Sequence, residues 1–242
     1  MKTYLITGAS GGIGSIIAKT LAKENNKLIL VYNKSEEEIN NLNKEISSIC
    51  EVEIHKCNLT QDKEIQEMVN SIIKTNKKID CLINCAGVAH FEQIQDTTSE
   101  SFSKVIDNNL KSTILLTAKV SKHMISEQSG KIINISSMWG VVGASMESLY
   151  SASKGAINAL TLSLAKELGP SNITVNAICP GLIDTKMNKN LSTETINEIV
   201  EETPLKKIGT PEDVANLVEF LCSDKTNFIT GQIITIDGGF SL

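Results

Sequence analysis

Three residues of types that can move a proton lie close together in the sequence: Ser137, Tyr150 and Lys154. In a helix, a Tyr-x-x-x-Lys spacing places the phenol and the ammonium on one face, one turn apart. Because an ammonium stabilises a nearby phenolate, we expect it to lower the Tyr150 pKa from its ordinary value of about 10. Such a phenol can act as a general acid or base near neutral pH. Taken alone, however, this short motif more often marks a buried aromatic residue beside a solvated lysine.

The elements that would position these residues alternate along the chain. Several apolar runs are unbroken, as is typical of parallel strands covered on both faces. The predicted strands are Thr3–Thr7, Lys27–Tyr32, Glu51–His55, Ile79–Asn84, Lys131–Ser136, Thr174–Ile178 and Ile233–Asp237. The predicted helices lie near 12–24, 36–49, 61–76, 99–127, 150–168 and 211–222.

This βαβα order predicts a Rossmann-like, doubly wound parallel sheet of seven strands with helices on both faces. We expect one domain that spans residues 1–242. Residues 182–203 carry no strand pattern and follow the carboxyl end of a predicted strand. Ligands bind at that edge of such sheets, so this segment is predicted to form a substrate lid.

Composition narrows the function classes. The 242 residues are 41% hydrophobic and 21% charged, which suits one α/β domain with a full core. The formal net charge of -5 argues against a nucleic-acid partner. No apolar run is long enough to span a membrane and no secretory signal is visible, so we expect a cytoplasmic protein.

The six cysteines are expected to be reduced, small and mostly buried. Cys81, Cys85 and His90 match no usual zinc spacing, and we predict no metal site.

A glycine-rich turn joins the first predicted strand to the first helix. Gly8, Gly12 and Gly14 form a G-x-x-x-G-x-G pattern. Glycines allow the backbone to turn sharply and approach a pyrophosphate, which the helix N-terminus then stabilises. An ordinary strand–helix turn is the alternative, but the position after strand one favours dinucleotide binding.

The end of the second strand bears on which dinucleotide binds. NAD sites usually place an acid there to hold the ribose 2′-hydroxyl, whereas this chain has Asn33, Lys34 and Ser35. Lys34 with its two neighbours is suited to a 2′-phosphate, which favours NADP(H) and leaves NAD(H) as the alternative. A helix start is another interpretation, because Ser35 and Glu38 fit a capping box.

Taken together, the chain resembles the short-chain dehydrogenase/reductases over nearly its whole length. The matching segments are Thr7-Gly8-x-x-x-Gly12-x-Gly14, Asn84-x-Ala86-Gly87, Asn109, Ser137, Tyr150-x-x-x-Lys154 and Pro180-Gly181-x-Ile183-x-Thr185. Three positions depart from the family pattern: Cys85 and Asn58 replace a common Asn and Asp, and Gly11 stands where many NADP-using members carry a basic residue.

The resemblance implies a catalytic tetrad of Asn109, Ser137, Tyr150 and Lys154. Ser137 would hydrogen-bond the carbonyl oxygen of a substrate and Tyr150 would deliver the proton, while the nicotinamide carries the hydride. Lys154 would lower the pKa of Tyr150 and bind the nicotinamide ribose. Asn109 would hold a water that links Lys154 to solvent. The residues alone leave Asn109 open to a second interpretation, an interior Asn bonded to the helix backbone, with Asn108 an equally polar neighbour.

The resemblance also implies which residues contact the cofactor. They are Gly8, Ser10, Gly11, Gly12, Ile13, Gly14, Asn33, Lys34, Ser35, Asn58, Leu59, Asn84, Ala86, Gly87, Tyr150, Lys154, Pro180, Gly181, Ile183 and Thr185.

The subgroup that the chain resembles most is 3-oxoacyl-(acyl-carrier-protein) reductase, through residues 204–213 and 229–239. This implies a 3-oxoacyl thioester substrate and an acyl-carrier protein as partner. Those segments are shared with sugar, steroid and alcohol dehydrogenases, and the expected carrier-docking stretches (127–129 and 170–172) lack basic residues. A generic ketone or alcohol oxidoreductase therefore stays open, as does, more remotely, a dinucleotide-binding regulator without catalysis.

The substrate pocket is expected to include His90, Phe91, Met138, Trp139 and Val142, with Trp139 open to a core or interface role. By resemblance, the helices at 99–127 and 150–168 form one contact and the last helix and strand a second, which implies a homotetramer.

Overall fold

A computed structural model describes residues 1–188 and 191–242 of the chain. Its centre is one seven-stranded sheet. The strands are β1 (Lys2–Thr7), β2 (Asn26–Tyr32), β3 (Glu51–Lys56), β4 (Cys81–Asn84), β5 (Gly130–Ile135), β6 (Ile173–Pro180) and β7 (Ile233–Ile236). They lie in the order β3–β2–β1–β4–β5–β6–β7, and every neighbouring pair is parallel.

Helices cover both faces of this sheet. They are α1 (Gly12–Leu21), α2 (Glu36–Ile46), α3 (Asp62–Asn76), α4 (Ser99–Ile106), α5 (Ser112–Ser126), α6 (Trp139–Val142), α7 (Ser148–Leu168), α8 (Thr193–Glu202) and α9 (Pro211–Cys222). Apolar residues of α1, α2 and α9 form one buried cluster with one face of the sheet. Those of α3, α5 and α7 form a second cluster with the other face. Because both faces are buried, the strands read as unbroken apolar runs.

The predicted fold class is confirmed, and the predicted element boundaries are wrong in detail. Helix α7 begins two residues earlier than predicted, at Ser148, and β4 begins two residues later, at Cys81. The predicted single helix at 99–127 is interrupted by a π-helical turn at Asp107–Lys111, which separates α4 from α5. Periodicity over 29 residues cannot reveal one widened turn, because the apolar stripe continues on both sides.

The predicted lid at 182–203 contains no strand among its described residues, but it holds helix α8 and a short 3₁₀ turn at Lys186–Asn188. One isolated bridge joins Ile183 to Gly209 and ties the start of this segment to the chain that leads into α9. The predicted lid also includes residues 189–190, which lie outside the described ranges.

The strand order reverses direction beside β1, which pairs with β2 on one side and β4 on the other. A crevice opens outside the carboxyl ends of strands at such a reversal, and ligands of doubly wound sheets bind there. The chain segments that follow β1, β4, β5 and β6 are therefore the ones that can form a site.

Candidate active site

The turn after β1 requires glycine at two positions. Gly8 has a φ of +64°, and a Cβ there would lie 2.9 Å from the Cα of Ala86. A Cβ on Gly14 would lie 2.2 Å from the Gly8 carbonyl oxygen. The backbone therefore packs closely on itself and leaves the N-terminus of α1 open toward the crevice. This shape and the unpaired N–H groups of a helix start fit a pyrophosphate.

The Thr7 hydroxyl joins the turn after β1 to the segment after β4. Its oxygen accepts hydrogen bonds from the backbone N–H groups of Cys85 (3.0 Å) and Ala86 (3.1 Å). These bonds use only the backbone of Cys85, so cysteine at this position leaves the connection intact. Burial raises the pKa of the Cys85 thiol to about 11, and the thiol stays protonated at neutral pH.

The segment after β6 reaches the same crevice. Gly181 donates its N–H to the Ile236 carbonyl oxygen (3.0 Å), and Ile183 is buried. Thr185 lies against the glycine turn, because a Cβ on Gly12 would be 2.9 Å from the Thr185 Cβ. Thus the segment after β6 packs against the glycine turn, although the two lie far apart in sequence.

The end of β2 carries exposed Asn33 and Lys34. Ser35 occupies the N-cap position of α2 but makes no capping hydrogen bond with its side chain, so the capping-box interpretation is wrong. Lys56 closes the neighbouring strand β3 and pairs in register with Tyr32, next to Asn33. Sequence reasoning missed Lys56, because only strand pairing brings its ammonium beside the end of β2.

Two of the predicted cofactor residues use their side chains within the protein. The Asn58 side-chain oxygen accepts bonds from the N–H (3.2 Å) and hydroxyl (2.9 Å) of Thr60. The Asn84 amide nitrogen donates to Thr117 Oγ1 (3.0 Å) and to Asn134 Oδ1 (2.9 Å). The Asn84 amide nitrogen thus connects α5 to β5 inside the fold, while its buried Oδ1 has no hydrogen-bond partner among the described residues.

Ser137, Tyr150 and Lys154 meet at the carboxyl edge of β5. Ser137 follows this strand and is buried, and its oxygen accepts the Trp139 backbone N–H (3.2 Å). Tyr150 and Lys154 lie one turn apart on α7, with the Lys154 Nζ 5.7 Å from the centre of the Tyr150 ring. A hydrogen bond with Ser137 favours the phenolate form of Tyr150. The three side chains therefore surround one point in the crevice.

The predicted lowering of the Tyr150 pKa is wrong. Burial raises the pKa of Tyr150 to about 12, and this outweighs the opposite effect of Ser137. Burial also lowers the pKa of Lys154 to about 8. Desolvation disfavours the charged form of both groups, so the phenol holds its proton firmly and the ammonium holds its proton weakly.

Asn109 lies in the π-helical turn and is buried. Its amide nitrogen donates to the Val88 carbonyl oxygen (3.0 Å) and to Ser153 Oγ (3.1 Å), and its oxygen accepts the Val88 N–H (2.8 Å). Asn108 instead points outward and donates to the Lys104 carbonyl oxygen (2.7 Å). Asn108 therefore makes the within-helix bond, while Asn109 connects the segment after β4 to α7.

One of the predicted pocket residues lines a cavity, and a second packs against a residue of that lining. Met138 lines this cavity of about 130 Å³, which lies between α8 and the carboxyl end of β7. The Trp139 and Phe240 rings pack edge to face at its border, 5.4 Å apart. The further lining residues are Leu182, Ile199, Thr203, Leu205, Lys207, Ile208, Gly209, Asp213, Ile236, Asp237, Gly238 and Phe240.

The other predicted pocket residues lie nearer the protein surface. Val142 and Phe91 are exposed, and the His90 Nε2 lies within hydrogen-bond distance of Glu92 Oε2 (2.9 Å). The Glu92 N–H donates to the Met146 carbonyl oxygen (2.7 Å), so this loop lies against the loop that leads into α7.

Glu147 is a site residue that sequence reasoning missed. It precedes α7 directly, three positions before Tyr150, and its charge raises the pKa of the Tyr150 phenol. The spacing to Tyr150 was a readable signal, since the i,i+3 relation places both residues on one side of the helix start.

Within the described ranges, no group of three or more His, Cys, Asp or Glu side chains is arranged to hold a metal ion. None of the helices there combines the length and the apolar character needed to cross a bilayer.

Known proteins are similar to this chain in sequence and in architecture. A family model described as enoyl-(acyl carrier protein) reductase matches residues 8–241. The chain is 39% identical over 238 residues to a 3-oxoacyl-[acyl-carrier-protein] reductase of Rickettsia conorii, with 98% of this chain and 96% of that protein covered. It is 37% identical over 241 residues to an uncharacterized oxidoreductase of Bacillus subtilis, with 99% and 98% covered.

A solved structure agrees with these relatives. A short-chain type dehydrogenase/reductase from Mycobacterium ulcerans superimposes with a TM-score of 0.95 at 28% identity, covering 99% of this chain and 90% of that one. The parallel sheet, the cleft at its carboxyl edge and these similarities lead to one conclusion: the chain belongs to the short-chain dehydrogenase/reductase family of NAD(P)-dependent oxidoreductases.

Proposed function

We propose that the protein reduces a ketone to a secondary alcohol, with Tyr150 as the proton donor to the carbonyl oxygen. The observation that carries the proposal is the meeting of Ser137, Tyr150 and Lys154 at one point of the crevice. A bound NADPH would supply the hydride, and the protein supplies position, a proton and a favourable field.

Each side chain has a distinct role in this proposal. The raised pKa of Tyr150 means that the phenol enters the reaction with its proton. As negative charge grows on the carbonyl oxygen, the Ser137 hydroxyl stabilises it by hydrogen bonding and Tyr150 transfers its proton. The Lys154 ammonium then stabilises the phenolate that forms. Asn109 holds the Val88 segment against α7 and so preserves the distance between these groups.

The substrate we propose is a 3-oxoacyl thioester, with an acyl-carrier protein as its carrier. The Rickettsia relative is named as a reductase of this substrate class, and the matching family model names the same carrier. The cavity beside Met138, lined by both apolar and polar side chains, offers room for a short acyl chain. A generic alcohol or ketone substrate is the alternative, favoured by the lack of basic residues at 127–129 and 170–172.

Replacing Tyr150 by Phe tests the reaction. We expect Tyr150→Phe to lose at least about 10²-fold in kcat with acetoacetyl thioesters, because general acid catalysis of this kind is worth about 10²–10⁴-fold. NADPH binding, measured by fluorescence titration, should change less than threefold. Tyr4→Phe is the matched control, because Tyr4 lies buried in β1 away from the crevice and should keep full turnover. Unchanged turnover in Tyr150→Phe would overturn the mechanism.

We propose NADP(H) as the preferred cofactor. The chain contains no arginine, so lysine must neutralise a 2′-phosphate. Lys34 is exposed at the end of β2, and Lys56 ends the adjacent strand. Glu36, an acid that would repel the phosphate, lies 3.7 Å from the Lys56 ammonium, which offsets its charge.

The ratio of kcat/KM for NADPH to that for NADH tests this preference. Lys34→Ala and Lys56→Ala should each decrease this ratio by up to about tenfold. Each variant removes a positive charge that would contact the 2′-phosphate, which NADH lacks. Lys74→Ala, an exposed lysine on α3, should leave it unchanged. A wild-type preference for NADH would refute the proposal.

We also propose a homotetramer that works in the cytoplasm. Exposed apolar side chains on α5 (Ile114), α7 (Leu162) and α9 (Phe220) support assembly. All six cysteines are free thiols, which suits a reducing compartment.

A further inference from the structure

A second cavity of about 130 Å³ lies at the amino edge of the sheet. Its lining includes Lys2 and Gly130, the first residues of β1 and β5, and Cys81, the first residue of β4. These three strands are parallel, so their amino ends lie at the edge opposite to the catalytic crevice. This cavity, which we call the amino-edge cavity, is therefore separate from the proposed reaction site.

Hydrogen-bond donors are common in the lining of the amino-edge cavity. The lining residues whose side chains can donate are Lys2, Ser129, Lys131, Asn172, Thr174 and Asn227. The Thr174 Oγ1 is buried and has no hydrogen-bond partner among the described residues. A buried polar group without a partner costs free energy that a bound polar ligand can recover. The lining therefore suits a ligand that accepts hydrogen bonds.

Lys131 places a buried ammonium in this lining. The residue is only 9% exposed, and its Nζ donates to Thr226 Oγ1 (3.2 Å). Across residues 1–188 and 191–242, Lys131 forms no ion pair with a carboxylate. An ammonium has three N–H donors, so two remain for a ligand. Burial lowers the pKa of Lys131 from the ordinary value for lysine, as expected for an ammonium without a counter-ion.

The two acids of the same lining already have cationic partners. Asp224 forms an ion pair with Lys2 (2.5 Å), and Asp80 forms one with Lys78 (2.8 Å). Each acid is thereby offset by a lysine other than Lys131. Among the described lining residues, Lys131 therefore carries the one charge without an opposite partner.

We propose that the amino-edge cavity binds a small oxyanion of the size of sulfate or phosphate, with the Lys131 ammonium as its main partner. Hydrogen bonds from an ammonium to an anionic oxygen are shorter and stronger than neutral ones. The Thr174 hydroxyl can donate to a second oxygen of the anion. Because β1, β4, β5 and β6 all contribute to the lining, a bound anion would connect four strands and stabilise the fold. The inference is independent of the proposed ketone reduction.

Thermal unfolding in sodium sulfate and in sodium chloride of equal ionic strength tests the inference. At about pH 6, several units below the ordinary lysine pKa of about 10.4, Lys131 is protonated. A ligand that binds only the folded state stabilises it. We therefore expect the midpoint temperature to be about 2–4 °C higher in sulfate, at a concentration several times Kd.

Variants separate binding from the general stabilisation that sulfate gives through its exclusion from protein surfaces. Lys131→Gln removes the charge, and Thr174→Val removes the hydroxyl with little change of shape. Lys131→Gln should lose at least about half of the gain in sulfate, and Thr174→Val a smaller part of it. Lys74→Gln, an exposed lysine on α3, should keep the full gain. The midpoint in chloride shows whether each variant folds.

Equal gains in sulfate for the wild-type protein, Lys131→Gln and Thr174→Val would show a general salt effect and overturn the proposal. A gain that Lys131→Gln loses and Lys74→Gln keeps would support it. Equilibrium dialysis of labelled sulfate against the wild-type protein needs no variant and so does not depend on how Lys131→Gln folds. Saturable binding of one sulfate per chain supports the site, and no saturable binding up to tens of millimolar would overturn it.

Discussion

The Lys154 side chain is almost completely buried. Only 6% of the residue is exposed, and its Nζ donates to the Ile135 carbonyl oxygen (2.9 Å). Removing an ammonium from water is costly, so burial lowers the pKa of Lys154 to about 8. Tyr150, buried beside it, has its pKa raised to about 12. The phenol is thus neutral throughout the physiological pH range, and the pKa of Lys154 lies closer to that range.

We therefore expect the rate to depend on the charge of Lys154. As pH rises through about 8, kcat/KM for NADPH in ketone reduction should fall, because Lys154 loses the charge that stabilises the nascent phenolate. Tyr150 keeps its proton over this pH range, so its titration causes no further change in the rate. Lys154→Arg should move the fall above pH 10, since a guanidinium does not deprotonate there. Initial rates between pH 6 and 10 measure this. A flat wild-type profile, or a fall retained in Lys154→Arg, would contradict it.

At the scale of elements, the site depends on contacts between α7 and its neighbours. The π-helical turn at Asp107–Lys111 contains Asn109, which bonds to both Val88 and Ser153. Widened turns of this kind occur often at functional sites. On its other side, α7 packs against α6, where Gly140 leaves no room for a side chain. A Cβ on Gly140 would lie 2.7 Å from the carbonyl carbon of Lys154.

Gly140→Ala should therefore displace the catalytic helix. We expect a loss of about 1–3 kcal/mol in unfolding free energy, typical of overpacking, and a fall in kcat/KM because Lys154 moves with α7. Gly169→Ala is the matched control, since a Cβ there meets nothing within 4 Å and its φ of −53° suits alanine. The control should change stability by less than about 1 kcal/mol. Urea unfolding and steady-state kinetics of both variants measure the difference. Equal behaviour of the two would contradict the packing argument.

At the scale of the whole molecule, some of the exposed apolar side chains lie on the helices that the family resemblance assigns to contacts between subunits. Ile114 on α5 is 39% exposed and Leu162 on α7 is 44% exposed. Phe220 on α9 and Phe228 just before β7 are also exposed. Exposed apolar side chains that come together in a patch mark association surfaces. Ile114, Leu162 and Phe220 lie on the helices of the two contacts that the family resemblance implies.

Light scattering at micromolar concentration should give the mass of four chains. Leu162→Asp should lower that mass to a dimer or monomer, because it places a charge within an apolar contact. Ile49→Asp changes an equally exposed side chain in the turn after α2 and should leave the mass unchanged. A monomer mass for the unaltered protein would refute the assembly proposal.

The sequence by itself determined the fold class, because alternating apolar runs and helical patterns suffice to specify a doubly wound parallel sheet. It also determined which residues are candidates for the chemistry, since Tyr150 and Lys154 are related by helical spacing that any helix preserves. The glycine turn was readable for a similar reason: the conformation of Gly8 is a local property of the backbone.

The tertiary structure alone decided the features that depend on distant segments. Strand pairing brought Lys56 beside the end of β2, and the widened turn separated the role of Asn109 from that of Asn108. Burial reversed the expected shift of the Tyr150 pKa, and the charge of Glu147, directly before α7, adds to that rise. The physical reason is that solvation and charge at one atom depend on every segment packed around it, whereas propensity and spacing depend only on neighbours along the chain.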